Sequence, residues 1–359
     1  RARLARLARA VLYLDDVDAD HVELVGGKGA NLGEIARIVR RHGASIPPAF
    51  MVTTLAFDRY LDENGARAAY LQLTSEIERV LAAPGLPDTD RRARIADVAQ
   101  RIRALIQGGR LDPAAGLGRE IMAAVDACGL RSGFVSVRSS GLQEDTEEAA
   151  FAGAAETFLY VSAADLLDWI REVWASFWLA RGILYQSDRV VRQASARLAI
   201  VVQQMFDSKV SGVIFTTDPV SGRDVIVIEA GYGLGEGVVS GLVDVDRYYV
   251  DKGDSSVVSV HVGNKAFMVK RHASGKGTAI VPVDSALRDV PCLTKSDIRV
   301  NIAIALEDHY ALSQDIEFGI ANGRFSILQT RPVTTRGLGQ IVLAREQVAE
   351  EAGIGRGEP

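Results

Sequence analysis

Apolar residues recur at helical spacing through most of the first half of the chain and in short strand-like runs through most of the second. In residues 22–43 an apolar start runs into a glycine turn. Leu32, Ile35, Ala36 and Val39 then fall on one helical stripe, which Pro47 and Pro48 stop. Residues 55–127 read as helix-rich, with breaks at Pro84-Gly85-Leu86-Pro87 and Gly108-Gly109. The runs 133–137 (GFVSV) and 155–161 (AETFLYV) predict strands. Residues 163–194 return to helical spacing: Leu166, Ile170, Val173 and Phe177 line one face, with Leu167, Trp174 and Trp178 beside it as core. Near residue 197 the period changes. Runs at 198–205, 212–217, 224–230, 247–251, 257–262, 314–320 and 323–329 predict strands between glycine-rich turns. One more helix is expected at 295–311, with Ile298, Ile302, Ala305 and Leu306 on one face. A helix-rich front half before a sheet-rich back half predicts a two-lobed α+β protein without internal repeats.

The expected organisation is an N-terminal extension (1–21), a helix-rich lobe (22–195), a sheet-rich lobe (196–335) and a linker or tail (336–359) that turns polar after Arg331. Residues 1–14 hold four arginines and no acid, and begin without Met. Leu4, Leu7 and Val11 share a helical face, which predicts a short amphipathic helix. The same composition resembles the start of a targeting peptide, and the missing Met suggests a trimmed or processed chain.

Composition narrows the class. The 359 residues are 48% hydrophobic and 24% charged, which excludes disorder and low-complexity fibre. A net charge of −5 gives no reason to expect nucleic acid as a partner. Arg91, Arg92, Arg94, Arg101 and Arg103 read as a solvated helix face. Cys128 and Cys292, the only cysteines, form no CxxC and no zinc set, and fit a reducing, cytoplasmic setting. Apolar runs such as 198–202 fall far short of the ~18 residues that span a membrane.

Several segments carry residue types suited to phosphate chemistry. In Gly26-Gly27-Lys28-Gly29-Ala30-Asn31-Leu32-Gly33, glycines expose backbone N–H groups, a helix start adds its dipole and Lys28 a charge. It is neither a P-loop nor the dinucleotide fingerprint, and a plain turn into a helix explains it equally well. Arg138 follows an apolar strand and opens a small polar loop, a good place for a guanidinium that grips phosphate. The acidic stretch 144–148 and Phe151-Ala152-Gly153 follow, and read as a flap. Gln203-Gln204-Met205-Phe206 end an apolar strand, where amides and backbone groups either read a base edge or simply close the strand. Residues 229–241 hold five glycines from Gly231 to Gly241, with Glu229 and Glu236 beside them, and suit close packing on a ligand. Asp315 and Glu317 share one face of a strand, Gln329 and Arg331 one face of the next, and a turn at Asn322-Gly323 pairs the two. Two acids, an amide and an arginine on one sheet face suit Mg²⁺. A Glu317–Arg331 salt bridge on an exposed face explains them as well.

Together the motifs are specific. Gly-Gly-Lys-Gly, Val-Arg-Ser-Ser, Phe-Ala-Gly-x-x-Glu-Thr-Phe, Ser-Gly-Val-x-Phe-Thr-x-Asp-Pro, Gly-Leu-Gly-Glu-x-Val-Val-Ser-Gly, Gln-Asp-Ile-Glu and Leu-Gln-x-Arg-Pro follow in that order. Over about residues 22–335 the chain resembles the N-terminal ATP-binding domain of the phosphoenolpyruvate synthase, pyruvate phosphate dikinase and rifampin phosphotransferase family. The resemblance implies an ATP-grasp-type nucleotide site between two lobes. It also implies ATP and Mg²⁺ as cofactors, and cleavage of ATP to AMP and inorganic phosphate through a histidine on a swivelling domain. It further implies that Lys28 and Arg138 hold the triphosphate, with Gly153 and Thr157 nearby, and that Gln203, Gln204, Met205 and Phe206 lie along the adenine. Glu229 and Glu236 join the nucleotide site; Asp315, Glu317 and Gln329 hold Mg²⁺, and Arg331 stabilises the transferring phosphoryl group.

One departure stands out. His21, His42, His261, His272 and His309 all lack the Gly-Gly-x-x-Ser-His-like context of the family's phosphohistidine. The expected partners are therefore ATP, a phosphohistidine-bearing domain or subunit, as in the split phenylphosphate synthase, and a small acceptor bound elsewhere, such as pyruvate, a phenol or an antibiotic. An ATP-grasp carboxylate ligase, marked by ADP release, and a non-catalytic nucleotide-binding module are the alternatives.

Overall fold

The computed structural model describes residues 9–141, 157–178, 198–275 and 277–333. The segment 144–148 with Gly153, the helix expected beyond residue 178, the boundary near 195 and the tail 336–359 lie outside them. The chain divides into two compact units. The first takes Arg1–Gly33 and Pro48–Met205, the second Glu34–Pro47 and Phe206–Pro359.

The first unit is built on a five-stranded antiparallel sheet, in the order β1-β2-β5-β3-β4. The strands are β1 (Val11–Tyr13), β2 (Ala49–Val52), β3 (Phe134–Ser140), β4 (Thr157–Ser162) and β5 (Ala199–Gln204). Helices α2 (Thr54–Glu63), α3 (Arg67–Ala82), α4 (Asp88–Gly108), α5 (Gly116–Ala127) and α6 (Leu166–Ser176) follow the apolar stripes read from the sequence. They bury those stripes against one sheet face, through residues such as Ile77, Ile102, Ile121, Ile170, Val137 and Val202. Trp174 sits between Phe57 and Tyr60, ring centroids 5.4 and 5.2 Å away. Its indole N–H donates to Leu198 O at 3.3 Å, and Trp178 is equally buried, so the tryptophans are core as expected. Helix α1 (Val22–Arg41) runs through the point where the chain passes from one unit to the other, between Gly33 and Glu34.

Two expectations in this unit are corrected and one strand is added. Val11 lies in a strand rather than a helix, because it pairs with Val52 across β1 and β2. Strand β2 itself was not expected; it is only four residues long and follows two prolines, whose extended bias feeds it into the sheet. Strand β3 continues past its apolar run, because Arg138, Ser139 and Ser140 still pair with Val201, Ile200 and Ala199. Arg138 is a strand residue and does not open a loop.

The second unit holds a six-stranded antiparallel sheet in the order β13-β12-β6-β7-β8-β9. The strands are β6 (Val210–Phe215), β7 (Ile226–Tyr232), β8 (Asp246–Val250), β9 (Val257–His261), β12 (Gln314–Ala321) and β13 (Arg324–Pro332). A separate hairpin pairs β10 (Phe267–Arg271) with β11 (Thr278–Pro282), and the helices are α7 (Gly235–Val239), α8 (Ser285–Arg288) and α9 (Val300–Tyr310). The β12–β13 hairpin turns as expected at Asn322 and Gly323, whose φ values of 50° and 72° are those of a tight primed turn. Leu328 is an extra residue on β13, since pairing steps from Glu317↔Gln329 to Phe318↔Ile327. No helix among the described residues is long and apolar enough to cross a membrane.

Candidate functional site

The second unit gathers the acidic motif onto one sheet face. Residues paired directly across antiparallel strands point the same way, as do residues two apart. One row therefore runs Gln329, Glu317, Val213, Glu229, Arg247, and the next runs Arg331, Asp315, Phe215, Val227, Tyr249. Asp315, Glu317, Gln329 and Arg331 share a face as the period-two reading requires, and Glu229 joins them two strands away. The face is not an exposed one here, because Asp315 and Gln329 are both 7% exposed and Glu317 is half-buried. Arg331 pairs with Asp315: its Nε donates to Asp315 Oδ2 at 2.8 Å. Asp315 Oδ1 is buried with no hydrogen-bond partner. Burial pushes the Asp315 carboxyl up from the ordinary aspartate value; Arg331 opposes this, while the charges of Glu317 and Glu229 reinforce it.

This donor set fits a hard cation. An orphaned carboxylate oxygen on Asp315, the Glu317 carboxylate and the Gln329 amide are the ligand types Mg²⁺ takes when water and phosphate complete its shell. Among the described residues no group of three or more His, Cys, Asp or Glu is placed to hold a metal ion by itself.

Sequence reasoning missed Arg247. Its Nε donates to Glu229 Oε1 at 2.9 Å, and a second guanidinium nitrogen holds the same oxygen. Only the β7–β8 register brings the two together, and nothing local signals that register. Glu236 stands exposed in the first turn of α7 rather than on either row. The Phe-Thr-x-Asp-Pro segment proves to be scaffolding in part: Asp218 builds the β6–β7 turn, accepting from Val220 N at 3.0 Å and from Ser221 Oγ. Burial raises the Asp218 carboxyl, but these bonds and Arg223 outweigh it and leave it lowered.

In the first unit Arg138, Thr157 and Gln203 share a face. Arg138 lies between Val201 and Thr157 in one row, and Ser136 opposite Gln203 in the next. Gln203 is 3% exposed and its amide nitrogen has no partner, an unusual state for a buried donor. Gln204 alternates to the other side of β5 and is exposed, so the two glutamine side chains point to opposite faces. The backbone N–H groups of Gln204 and Met205 are also taken, by Pro48 O at 2.8 Å and Phe134 O at 2.9 Å. Phe206 belongs to the second unit, beside Gly319 of β12.

The glycine-rich turn packs closely against the end of β3. Gly27 N donates to Gly141 O at 2.8 Å and Gly29 N to Ser140 Oγ at 3.1 Å, while Ser140 Oγ donates to Val25 O at 2.6 Å. Gly26, at φ 69°, passes so close that a Cβ would sit 2.1 Å from Ser140 O. These glycines dock the start of α1 onto the end of β3. The result brings Lys28 to the right strand: its Nζ donates to the carbonyl of Ser139, next to Arg138, at 3.2 Å. Lys28 and Arg138 are therefore neighbours, and Gly153 lies outside the described residues.

Two units, each built of helices around its own antiparallel sheet, fit a protein of the ATP-grasp-like class. The chain belongs to the family described as the pyruvate phosphate dikinase AMP/ATP-binding domain, which matches residues 22–352. It is 34% identical over 343 residues to a probable phosphoenolpyruvate synthase of Methanothermobacter thermautotrophicus, covering 92% of this chain and 47% of that protein. To the phosphoenolpyruvate synthase of Pyrococcus furiosus it is 35% identical over 382 residues, covering 96% and 45%. To the rifampicin phosphotransferase of Streptomyces sviceus it is 36% identical over 332 residues, covering 91% and 36%. The chain thus spans less than half the length of each of these relatives.

Proposed function

We propose that this chain is the ATP-binding part of a dikinase-type phosphotransferase. ATP is split to AMP; one phosphoryl group passes to a histidine on a separate domain or partner and the other to water as inorganic phosphate. The phosphohistidine then serves a small acceptor such as pyruvate, a phenol or an antibiotic. Lys28 and Arg138 grip the triphosphate, and the unpartnered amide of Gln203 meets an acceptor on the nucleotide. Asp315, Glu317 and Gln329 hold Mg²⁺, which when bound offsets phosphate charge. Arg331, already on that face, meets the charge that develops on the transferring group. The observation that carries the reading is the buried, unpaired Asp315 oxygen among like charges: such a group is costly alone and favourable once a cation arrives.

The test is thermal and chemical. ATP with Mg²⁺ should raise the melting temperature by binding the native state. Lys28→Ala and Arg138→Ala should each weaken binding by about 1.5–3 kcal/mol, or about 10- to 150-fold. Glu317→Gln should depress phosphoryl transfer much further than nucleotide binding. Unchanged affinity in both cation variants would remove those residues from the site. ADP in place of AMP would assign a carboxylate ligase, and binding without turnover in any partner's presence a non-catalytic module.

A further inference from the structure

The Phe-Thr-x-Asp-Pro segment also carries a polar chain that the proposed nucleotide chemistry does not use. Thr216, just past β6, is fully buried. Its hydroxyl donates to Glu307 Oε1 of α9 at 2.7 Å and accepts from the Gln314 backbone N–H at 2.8 Å. Glu307 sets that direction. Its Oε2 accepts from Lys252 Nζ at 2.6 Å, and Lys252 is held in turn by Asp224. A carboxylate paired with an ammonium only accepts, so Thr216 donates to it and turns its lone pairs to Gln314.

Gln314 is thereby fixed on every side. Thr216 N donates to its carbonyl at 2.9 Å, its amide nitrogen donates to Leu312 O at 2.9 Å, and its amide oxygen accepts from Thr330 Oγ1 at 3.0 Å. Gln314 precedes Asp315 and Thr330 precedes Arg331. Side chains alternate along a strand, so this chain grips β12 and β13 from the face opposite the Asp315–Arg331 pair.

We infer that Thr216, oriented by Glu307 and Lys252, is a positioning residue that sets the cation affinity of the Asp315–Glu317 face. The inference rests on the reading of that face as the Mg²⁺ site. Without the Thr216 hydroxyl, the Gln314 N–H is left buried beside a valine methyl. The entry of β12 then shifts to find an acceptor, and Asp315 moves with it. A metal site tolerates only about 0.5 Å of such movement.

The experiment is a Mg²⁺ titration of the ATP-induced rise in melting temperature on the whole chain, beside ATP binding measured in chelator. Thr216→Val should raise the Mg²⁺ concentration at half-effect about 10- to 100-fold, the range for groups that orient a metal's ligands. Thr216→Ser should restore it, Glu307→Gln should fall between, and cation-free ATP affinity should hold within about twofold throughout. A lowered melting temperature in Thr216→Val with an unmoved Mg²⁺ midpoint would mean a purely structural role and overturn the inference. Should that variant fail to fold by circular dichroism, Glu307→Gln decides, and an unmoved midpoint there overturns it. A wild-type chain that binds ATP but ignores Mg²⁺ removes the metal reading and this inference together. A wild type that responds to Mg²⁺, with variants that keep its midpoint, removes the inference alone.

Discussion

Asp315 is where stability and proposed chemistry pull apart. Its carboxyl is buried with one oxygen unpaired, and burial raises its proton affinity in the folded chain. Between the ordinary aspartate range and that raised value, the folded state holds a proton the unfolded chain has lost. Stability therefore falls as pH rises through this window, and the full penalty is present above it. Asp315→Asn removes the titration. In thermal melts from about pH 4 to pH 7 without nucleotide, the wild-type curve should decline relative to the variant's. With ATP present, Asp315→Asn should lose the Mg²⁺-dependent part of the stabilisation. Parallel pH curves would show that Asp315 is not the penalised group. The opposite sign holds at Asp218, whose lowered carboxyl adds stability that is lost only as the pH falls through its folded value.

Among the elements, the join of α1 to β3 is the most exacting. Gly26 combines a positive φ with a backbone approach that leaves no room for a Cβ, whereas Gly323, at φ 72°, has open space around it. Gly323→Ala should cost about 1–2 kcal/mol, the conformational term alone. Gly26→Ala adds a collision with Ser140 and should cost clearly more. It should also weaken ATP binding, because the Lys28 anchor on Ser139 moves with it. Equal losses in chemical denaturation would mean the join is looser than its geometry. The sequence made this region legible as a glycine turn before a helix, but not what the turn packs on, since Ser140 lies more than 100 positions away. The acidic face was legible because period two and the Asn322-Gly323 turn fix both orientation and register locally. The same rule sends the side chains of Gln203 and Gln204 to opposite faces of β5. Arg247 and the β10–β11 hairpin were hidden for different reasons. Arg247 meets Glu229 only through a non-local register. The hairpin leaves Phe267 and Ile280 exposed and so shows no buried stripe. Nor does the unbroken apolar stripe of α1 reveal that its halves belong to different units. Contacts such as Ser45 Oγ with Ser326 Oγ at 2.6 Å decide that.

Taken whole, the chain carries the AMP/ATP-binding domain of its family and spans less than half the length of the relatives compared with it. Four of its five histidines are occupied locally. His21 pairs with Asp18 at 2.7 Å, His42 with Ile38 O at 3.0 Å, His272 with Ser274 at 2.7 Å and His309 with Glu34 at 2.8 Å. His261 shares the row of Glu317 and Glu229 but lies on β9, four strands from β12. At about 4.8 Å per strand that is about 19 Å, too far for in-line attack on a nucleotide held at Glu317. The phosphoryl acceptor is therefore expected on another domain or partner. Well-oriented delivery of such a nucleophile supplies ~7–11 kcal/mol that free collision does not. Alone, then, the chain should bind ATP and form little AMP. Followed with ATP labelled at the β and γ positions, a mixture with a histidine-bearing domain should yield AMP, inorganic phosphate and an acid-labile label on that domain. Stoichiometric acid-labile label on this chain, at any of its histidines, would overturn the division of labour. Steady AMP production by the chain with a small acceptor alone would overturn it too, because the nucleophile would then need no delivery.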